Sequence, residues 1–302
     1  VSQVKAFAEP GSVEYKEEML RFLERKLIQL SNENAKLRET KKRDLLAENT
    51  VELLRSVVRD NCAVLPPLPS ARKPLGKRDV IHEDLVMHVS DEHADQIVRA
   101  HRVGGLEEYN MNVAMRRAET YVDSVIRFSQ QTLSNYVFDN LWVLKYGDHV
   151  NGSIHKGTEN SVMRNDFANA IAVGQMHALM VRDLAPYFKK VIVVSVPGNH
   201  GRQDNHKDYN NALRNLDYLV AEVAAMQCSD IKNVEHIIPD AYSINLDIKG
   251  FTFNISHGDD VPGNAGTPWY GIERRNNRIQ AIHAAQGKQV HYKVMGHFHK
   301  SS

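Results

Sequence analysis

Cysteine is scarce in this chain. Its 302 residues include only Cys62 and Cys228, too few for a disulfide framework and in keeping with a reducing, intracellular setting. No apolar run is long enough to span a membrane, and no secretory signal pattern opens the sequence, so no membrane partner is expected. Charge of one sign is also lacking, because 38 basic and 37 acidic side chains nearly cancel. That excludes a global basic field as the means of holding nucleic acid and leaves only local patches. Hydrophobic residues make up 42%, ordinary for a globular protein, and the length suits one large α/β domain with an appendage.

Glycine and proline are missing from about 13–61, which is charged, rich in leucine and predicted to be a long helix. Leu20, Leu23, Leu27, Leu30, Asn34 and Leu37 follow steps of three and four, a heptad seam with Asn34 at an a-type position. Such an asparagine specifies an in-register, two-stranded coiled coil, so a homodimer or higher oligomer is expected through this helix. An amphipathic helix lying on its own domain is the other reading. Pro66, Pro67, Pro69 and Pro74 then mark a semi-stiff linker whose Arg72, Lys73, Lys77 and Arg78 could meet phosphates or simply be solvated. The resulting organisation is an N-terminal helical segment over 1–63, a Pro-rich basic linker over 64–80 and a large domain over 81–302.

From Asp84 onward, β-branched and apolar runs alternate with helical spacing over Leu106–Tyr136, Gly157–Phe188 and Asn211–Met226, which predicts an α/β fold with crossover helices. Tyr242–Ile248 and Phe251–Ile255 flank Lys249-Gly250 and read as a hairpin. Polar residues of metal-ligand type stand at the ends of the apolar runs: Asp91 and His93, Asp148, Asn199 and His200, His257, and His297 and His299. Open α/β folds gather ligands at the carboxyl ends of strands. A mixed Asp/Asn/His set without thiolate suits two divalent cations, Mn²⁺ first, with Zn²⁺, Fe and Ni²⁺ also accommodated. Asp91 and His93 are two apart, so on an extended segment they point the same way.

The motifs Asp91-Glu92-His93, Gly147-Asp148, Gly198-Asn199-His200, His257-Gly258-Asp259 and Gly296-His297-Phe298-His299, in that order, resemble the calcineurin-like metallophosphoesterase superfamily over roughly residues 84–302. The resemblance implies a two-sheet β-sandwich flanked by helices, with further strands beyond the present end of the chain. It implies that Asp91, His93 and His299 hold one ion, that Asn199, His257 and His297 hold a second, and that Asp148 bridges them. His200 would lie by the leaving-group oxygen. His82, His88, His149, His155, His206 and His283 have no such motif behind them and read as structural or surface residues, with His149 and His206 as candidates for supporting a ligand.

Three departures narrow the branch. Asn151 stands where the family's protein phosphatases begin an Asp-Arg-Gly triplet, so their phosphate-clamping arginine is missing. Gly201 follows His200 where an acid is usual, so His200 leans on a different carboxylate or on none. Arg202 is in position to supply phosphate binding. The Gly-Asn-His-Gly-Arg variant is similar to the DNA-repair-exonuclease-like phosphoesterases of phages and bacteria, which implies a cytoplasmic setting in a bacterial or phage-infected cell.

Between the fourth and fifth motifs, residues 263–278 read as a loop that turns basic. Trp269 and Tyr270 could stack on bases and Arg274, Arg275 and Arg278 could meet phosphates; or the aromatics pack in the core and the arginines begin a solvated helix. Asp259 and Asp260 could orient a ligand histidine or cap the next turn. The expected function is a two-metal phosphodiesterase acting as a DNA nuclease of exonuclease type. A phosphodiesterase for a small nucleotide and a non-catalytic assembly protein working through its coiled coil are the alternatives.

Overall fold

The computed structural model describes residues 81–133, 135–155, 165–204, 207–262 and 268–299, with isolated helical positions at 25, 26, 29, 32, 33, 35–39, 41, 52 and 56. The chain divides into one unit over Val1–Asp60 and another over Asn61–Ser302. In the first unit Leu37 is on helix and 57% exposed. Leu20, Leu23, Leu27, Leu30 and Asn34 of the heptad seam, the linker at 64–80, and His206 lie outside the described residues.

The second unit is mixed α/β. Strands β1 (Ile81–Val89), β2 (Tyr136–Lys145), β3 (Lys190–Ser195) and β4 (Val234–Ile237) form a parallel sheet in that order. Parallel neighbours need crossovers, and helices α1 (Met111–Arg127), α2 (Asp166–Leu184) and α3 (Leu216–Gln227) supply them. A second sheet holds β5 (Ser243–Ile248), β6 (Phe251–Ser256) and β7 (Tyr292–Val294), with β5 antiparallel and β7 parallel to β6. Helix α4 (Trp269–Ala285) connects β6 to β7.

One core cluster draws Leu144, Ile192, Val194 and Val196 from the first sheet's side and Leu246, Ile248 and Ile255 from the second, so the sheets pack through these residues. Val191 and Val193, which alternate with them on β3, are also fully buried. This strand is covered on both faces, which is why it reads as a continuous apolar run rather than an alternating one.

All three crossover helices begin later than their periodicity suggests, and α1 and α2 end earlier. The reason is the same at each start. Asn110, Asn165 and Asn215 have extended backbones and accept from Val113 N, Ala168 N and Asp217 N respectively, which caps the helices there. Tyr136, read as the end of a helix, is the first residue of β2 after a single π-turn over Phe128–Thr132. The hairpin around Lys249-Gly250 is present, and of the two readings of the basic stretch the helical one holds, since Arg274, Arg275 and Arg278 lie on α4, which begins at Trp269. Among the described residues, no helix is long and apolar enough to cross a membrane.

Candidate metal centre

Strands β1, β2 and β3 run parallel, so their carboxyl ends share one edge of the sheet. Asp91 follows β1 by two residues, Asp148 follows β2 by three and Asn199 follows β3 by four; His257 directly follows β6, and His297 lies three past β7. Five loops thus deliver the ligand-type side chains. Backbone bonds lock the first two together: Asp91 N to Gly147 O at 3.0 Å, His93 N to Asp148 O at 3.0 Å and Ala94 N to His149 O at 2.9 Å. A Cβ at Gly198 would collide with the Asp148 carboxylate, so the second and third loops meet only because this residue has no side chain.

The expectation of extended geometry at Asp91 and His93 is not met. Their φ angles are 54° and 42°, in the left-handed region, and so are those of Asp148 at 53°, His297 at 70° and His299 at 48°. Lys249 in the β5–β6 turn is the one other non-glycine residue of this kind among the described residues. Left-handed backbone costs an ordinary residue roughly 1–3 kcal/mol and persists where the surroundings impose it, most often at functional sites. Here it bends the ends of the first, second and fifth loops sharply at the ligand-type residues themselves.

Two clusters result. In the first, His93 Nε2 lies 3.4 Å from His299 Nε2, and His299 Nε2 lies 3.3 Å from Asp91 Oδ1. In the second, His257 Nε2 lies 2.9 Å from Asp148 Oδ2 and 3.0 Å from Asn199 Oδ1, with the His297 ring 5.2 Å from that of His257. Asp148 also lies with His93 and His200 in a third overlapping group, so its carboxylate stands between the two clusters. Within each group the ligand-type atoms are all within 4.8 Å of one another. That spread is what a cation with bonds of roughly 2 Å gathers.

The electrostatics fit a cation. Burial alone would raise the Asp148 carboxyl, but the hydrogen bond and charge of His257, with His200 beyond, hold it well below the usual carboxylate range. Burial would lower His257, and the bond to and charge of Asp148 push it up to about 9. Its Nδ1 donates to the Tyr146 carbonyl at 2.8 Å, so an extra proton sits on Nε2, between Asp148 and Asn199. A proton there ties two oxygens to the ring, as a cation would, and the two compete for the same nitrogen. Burial pushes His93 down to about 4, leaving a neutral imidazole, the form that binds metal.

His200 lies at the mouth of the site, with its ring 4.5 Å from those of both His93 and His155. Its main-chain N donates to Asp148 Oδ1 at 2.8 Å and its Nδ1 donates to the Asn151 carbonyl at 2.9 Å, which leaves Nε2 4.0 Å from Asp148 Oδ2. The support of His200 is therefore a carbonyl and not an acid. Gly201 has a packing reason as well, because a Cβ there would collide with Asn215 Oδ1. His155, read from sequence as structural or surface, instead faces the site: it accepts from Asn199 Nδ2 at 2.9 Å. No motif surrounds it that would have marked it.

Four supporting residues escaped the sequence reading. Asp217, at the start of α3, accepts from Asp148 N at 2.9 Å, His149 N at 3.1 Å and Gly198 N at 2.8 Å, tying the second loop to the third. Glu92 Oε2 lies 2.7 Å from His149 Nδ1 and 2.7 Å from His177 Nε2. Burial would raise the Glu92 carboxyl, but the two imidazoles outweigh it and hold the group ionised, so both rings donate to it. Asp95 accepts from Asn151 N and from Asn169 Nδ2. The Asn-Leu-Asp sequence at 215–217 is a helix-start signal that could have exposed Asp217.

The remaining candidates separate clearly. Arg202 is half-buried and its Nε donates to the Asn199 carbonyl at 3.2 Å, which holds it against the third loop. Asp259 pairs with Lys207 at 2.6 Å and Asp260 with Arg275, so both aspartates and Arg275 are engaged in ion pairs. Arg274 and Arg278 are exposed, as are Trp269 at 52% and Tyr270 at 68%, so the aromatics do not pack in the core. A cavity of about 150 Å³ adjoins His257 and is lined by Lys207, Tyr209, Tyr242 and Ser256 among others.

No protein-family description and no curated protein matches the chain. Among solved structures it is similar to the phosphopantetheinyl hydrolase of Mycobacterium tuberculosis, at 16% identity over 65% of this chain and 51% of that one, with a TM-score of 0.24. It is also similar to a protein of unknown function from Aquifex aeolicus, at 13% identity over 72% and 81%, with a TM-score of 0.28. The chain thus spans about half the length of the first.

Proposed function

We propose that this chain is a phosphodiesterase that works with two divalent cations and hydrolyses nucleic acid, DNA foremost. The observation that carries the reading is the convergence of Asp91, His93, Asp148, Asn199, His257, His297 and His299 from five loops, most of them on left-handed backbone. Asp91, His93 and His299 would hold one cation, Asn199, His257 and His297 the other, with Asp148 shared. Mn²⁺ suits the hard O/N set. When bound, the pair supplies Lewis acidity, polarising a phosphoryl oxygen and making water more acidic.

The chain's own residues do the rest. His200 keeps Nδ1 protonated on the Asn151 carbonyl and turns Nε2 to the site, where it gives a proton to the departing alkoxide or steadies its charge. Arg202, fixed by the Asn199 carbonyl, stands beside the third loop to meet a phosphoryl oxygen. Exposed Trp269, Tyr270, Arg274 and Arg278 would supply stacking and phosphate contacts for a nucleic-acid strand. Pairing of two copies through the helix at 13–61 belongs to the same proposal.

The test incubates the protein with Mn²⁺ and labelled single-stranded DNA, labelled duplex DNA, or bis-p-nitrophenyl phosphate, beside Asp148→Asn and His200→Ala. DNA cleavage lost in both variants is the expected result. Turnover of the small diester alone moves the substrate to a small nucleotide. No turnover and no bound metal would sink the enzyme reading and leave the N-terminal helix as the working part.

A further inference from the structure

We propose that Glu92 is a positioning residue: with the buried imidazoles of His149 and His177 it forms a clip that holds the Asp91–His93 segment in its ligand-presenting conformation. The inference rests on the metal-centre reading and adds to it residues that touch neither cation nor substrate.

Glu92 sits between two ligand-type residues on left-handed backbone, a conformation that Asp and His tolerate better than most residues but that still has to be held in place on both sides of it. One carboxylate oxygen takes both imidazoles at 2.7 Å, and the His149 and His177 side chains are only 1% and 2% exposed. Charge-assisted bonds of this length are the strong kind, and although the Glu92 side chain is 18% exposed both of its partners are buried. Each imidazole belongs to a different element. His149 follows Asp148 in the second loop, and His177 lies midway along α2, a helix with eleven buried positions. The carboxylate therefore ties a strained segment to a second ligand loop and to a rigid strut.

The pattern repeats three residues on. Asp95 accepts from Asn151 N of the second loop and, at 3.0 Å, from Asn169 Nδ2 of α2. Asn169 and His177 are eight apart on one helix, just over two turns, and so share a side of it. Tyr109 Oη completes the fastening by donating to the Glu92 carbonyl at 2.7 Å. Two parallel clips, with three backbone bonds between the loops, leave the first loop little freedom to relax towards an extended strand.

Glu92, His149 and His177 also have ligand-type atoms within 4.8 Å of one another, as a cation site would. Two observations favour the clip. The 2.7 Å separations are hydrogen-bond distances. Moreover, a ligating imidazole normally passes its other N–H to an acceptor, whereas His149 Nε2 and His177 Nδ1 have no partner among the described residues.

The experiment titrates the full chain with Mn²⁺ by calorimetry, as wild type, His177→Leu and His177→Gln. Wild type should show two sites. His177→Leu should keep both but weaken one of them about 10–100-fold, the usual effect of losing such a support. His177→Gln, whose amide can still donate to Glu92, should recover most of that loss. If leucine prevents folding, Glu92→Gln, which keeps the shape and removes the charge, should weaken the same step. A His177→Leu titration identical to wild type overturns the clip. Loss of one whole equivalent out of three in both His177 variants overturns it too, in favour of a third cation site. A wild-type chain that takes up no Mn²⁺ overturns the metal-centre reading itself, before any variant is compared.

Discussion

His93 Nε2 and His299 Nε2 face each other at 3.4 Å across 206 residues of sequence, with Asp91 Oδ1 at 3.3 Å from the second. Two ring nitrogens, on rings tilted 54° to each other, and a carboxylate oxygen make a donor set suited to sharing a cation. Removing His299 should therefore remove one ion and leave the other. Metal analysis after dialysis against Mn²⁺ should give two equivalents for wild type and one for His299→Ala, while Asp148→Asn, which touches both clusters, should fall below one. Chelation should lower the melting temperature, since at a hundred times Kd each ion stabilises by about 2.7 kcal/mol. Equal metal content in wild type and His299→Ala would remove His299 from the centre.

His200 should separate chemistry from binding. It is held by a carbonyl through Nδ1 and by its main-chain N on Asp148, and neither bond needs a metal. His200→Ala should cut kcat about 10²–10⁴-fold, the range for a lost general acid, while leaving two Mn²⁺ bound and KM within a few-fold. A drop in metal content with the activity would make His200 a ligand instead.

The strands that carry the site were legible because each is an apolar run closed by a polar residue, and β3 is the clearest case. Where the side chains point was not legible. A two-residue spacing at Asp91 and His93 suggests extended backbone, and only the tertiary setting forces φ to 54° and 42°. Helix starts were misjudged because hydrophobic spacing continues outward past the caps, whereas Asn110, Asn165 and Asn215 fix the ends locally. Glu92, Asp95, His177 and Asp217 went unseen for a different reason. Each works through partners far away in sequence, such as His177, 85 positions after Glu92, and apart from the helix-start signal at Asp217 no local motif marks them.

Asp217 should prove a stability residue as much as a site residue. Its carboxylate accepts from three main-chain N–H groups and is buried. Asp217→Ala leaves those donors stranded, and each unsatisfied buried group costs about 1–3 kcal/mol. A loss of at least ~3 kcal/mol in urea unfolding is expected, and the surviving folded protein should bind Mn²⁺ weakly because Asp148 N loses its anchor. An alanine variant within ~1 kcal/mol of wild type would show that water replaces the carboxylate and that the loops hold without it.

His236 on β4 gives a prediction in pH. Burial, with the nearby Lys145 charge, pushes its imidazole down to about 4 from an ordinary 6.5, and neither ring nitrogen has a hydrogen-bond partner among the described residues. Above about pH 6.5 the ring is neutral whether the chain is folded or not, so it contributes no pH dependence. Between about 6.5 and 4 the unfolded chain takes up a proton that the folded one refuses, so stability falls as pH falls and levels off below 4. The loss from this one group reaches at most about 3 kcal/mol. Replacing it by a neutral side chain of similar volume removes the term: His236→Leu and wild type should diverge in melting temperature below pH 6.5, with wild type falling faster, and should keep a constant difference above pH 7. Parallel curves through the acid range would mean that His236 protonates in the folded state, and that β4 admits water where the structure packs the ring dry.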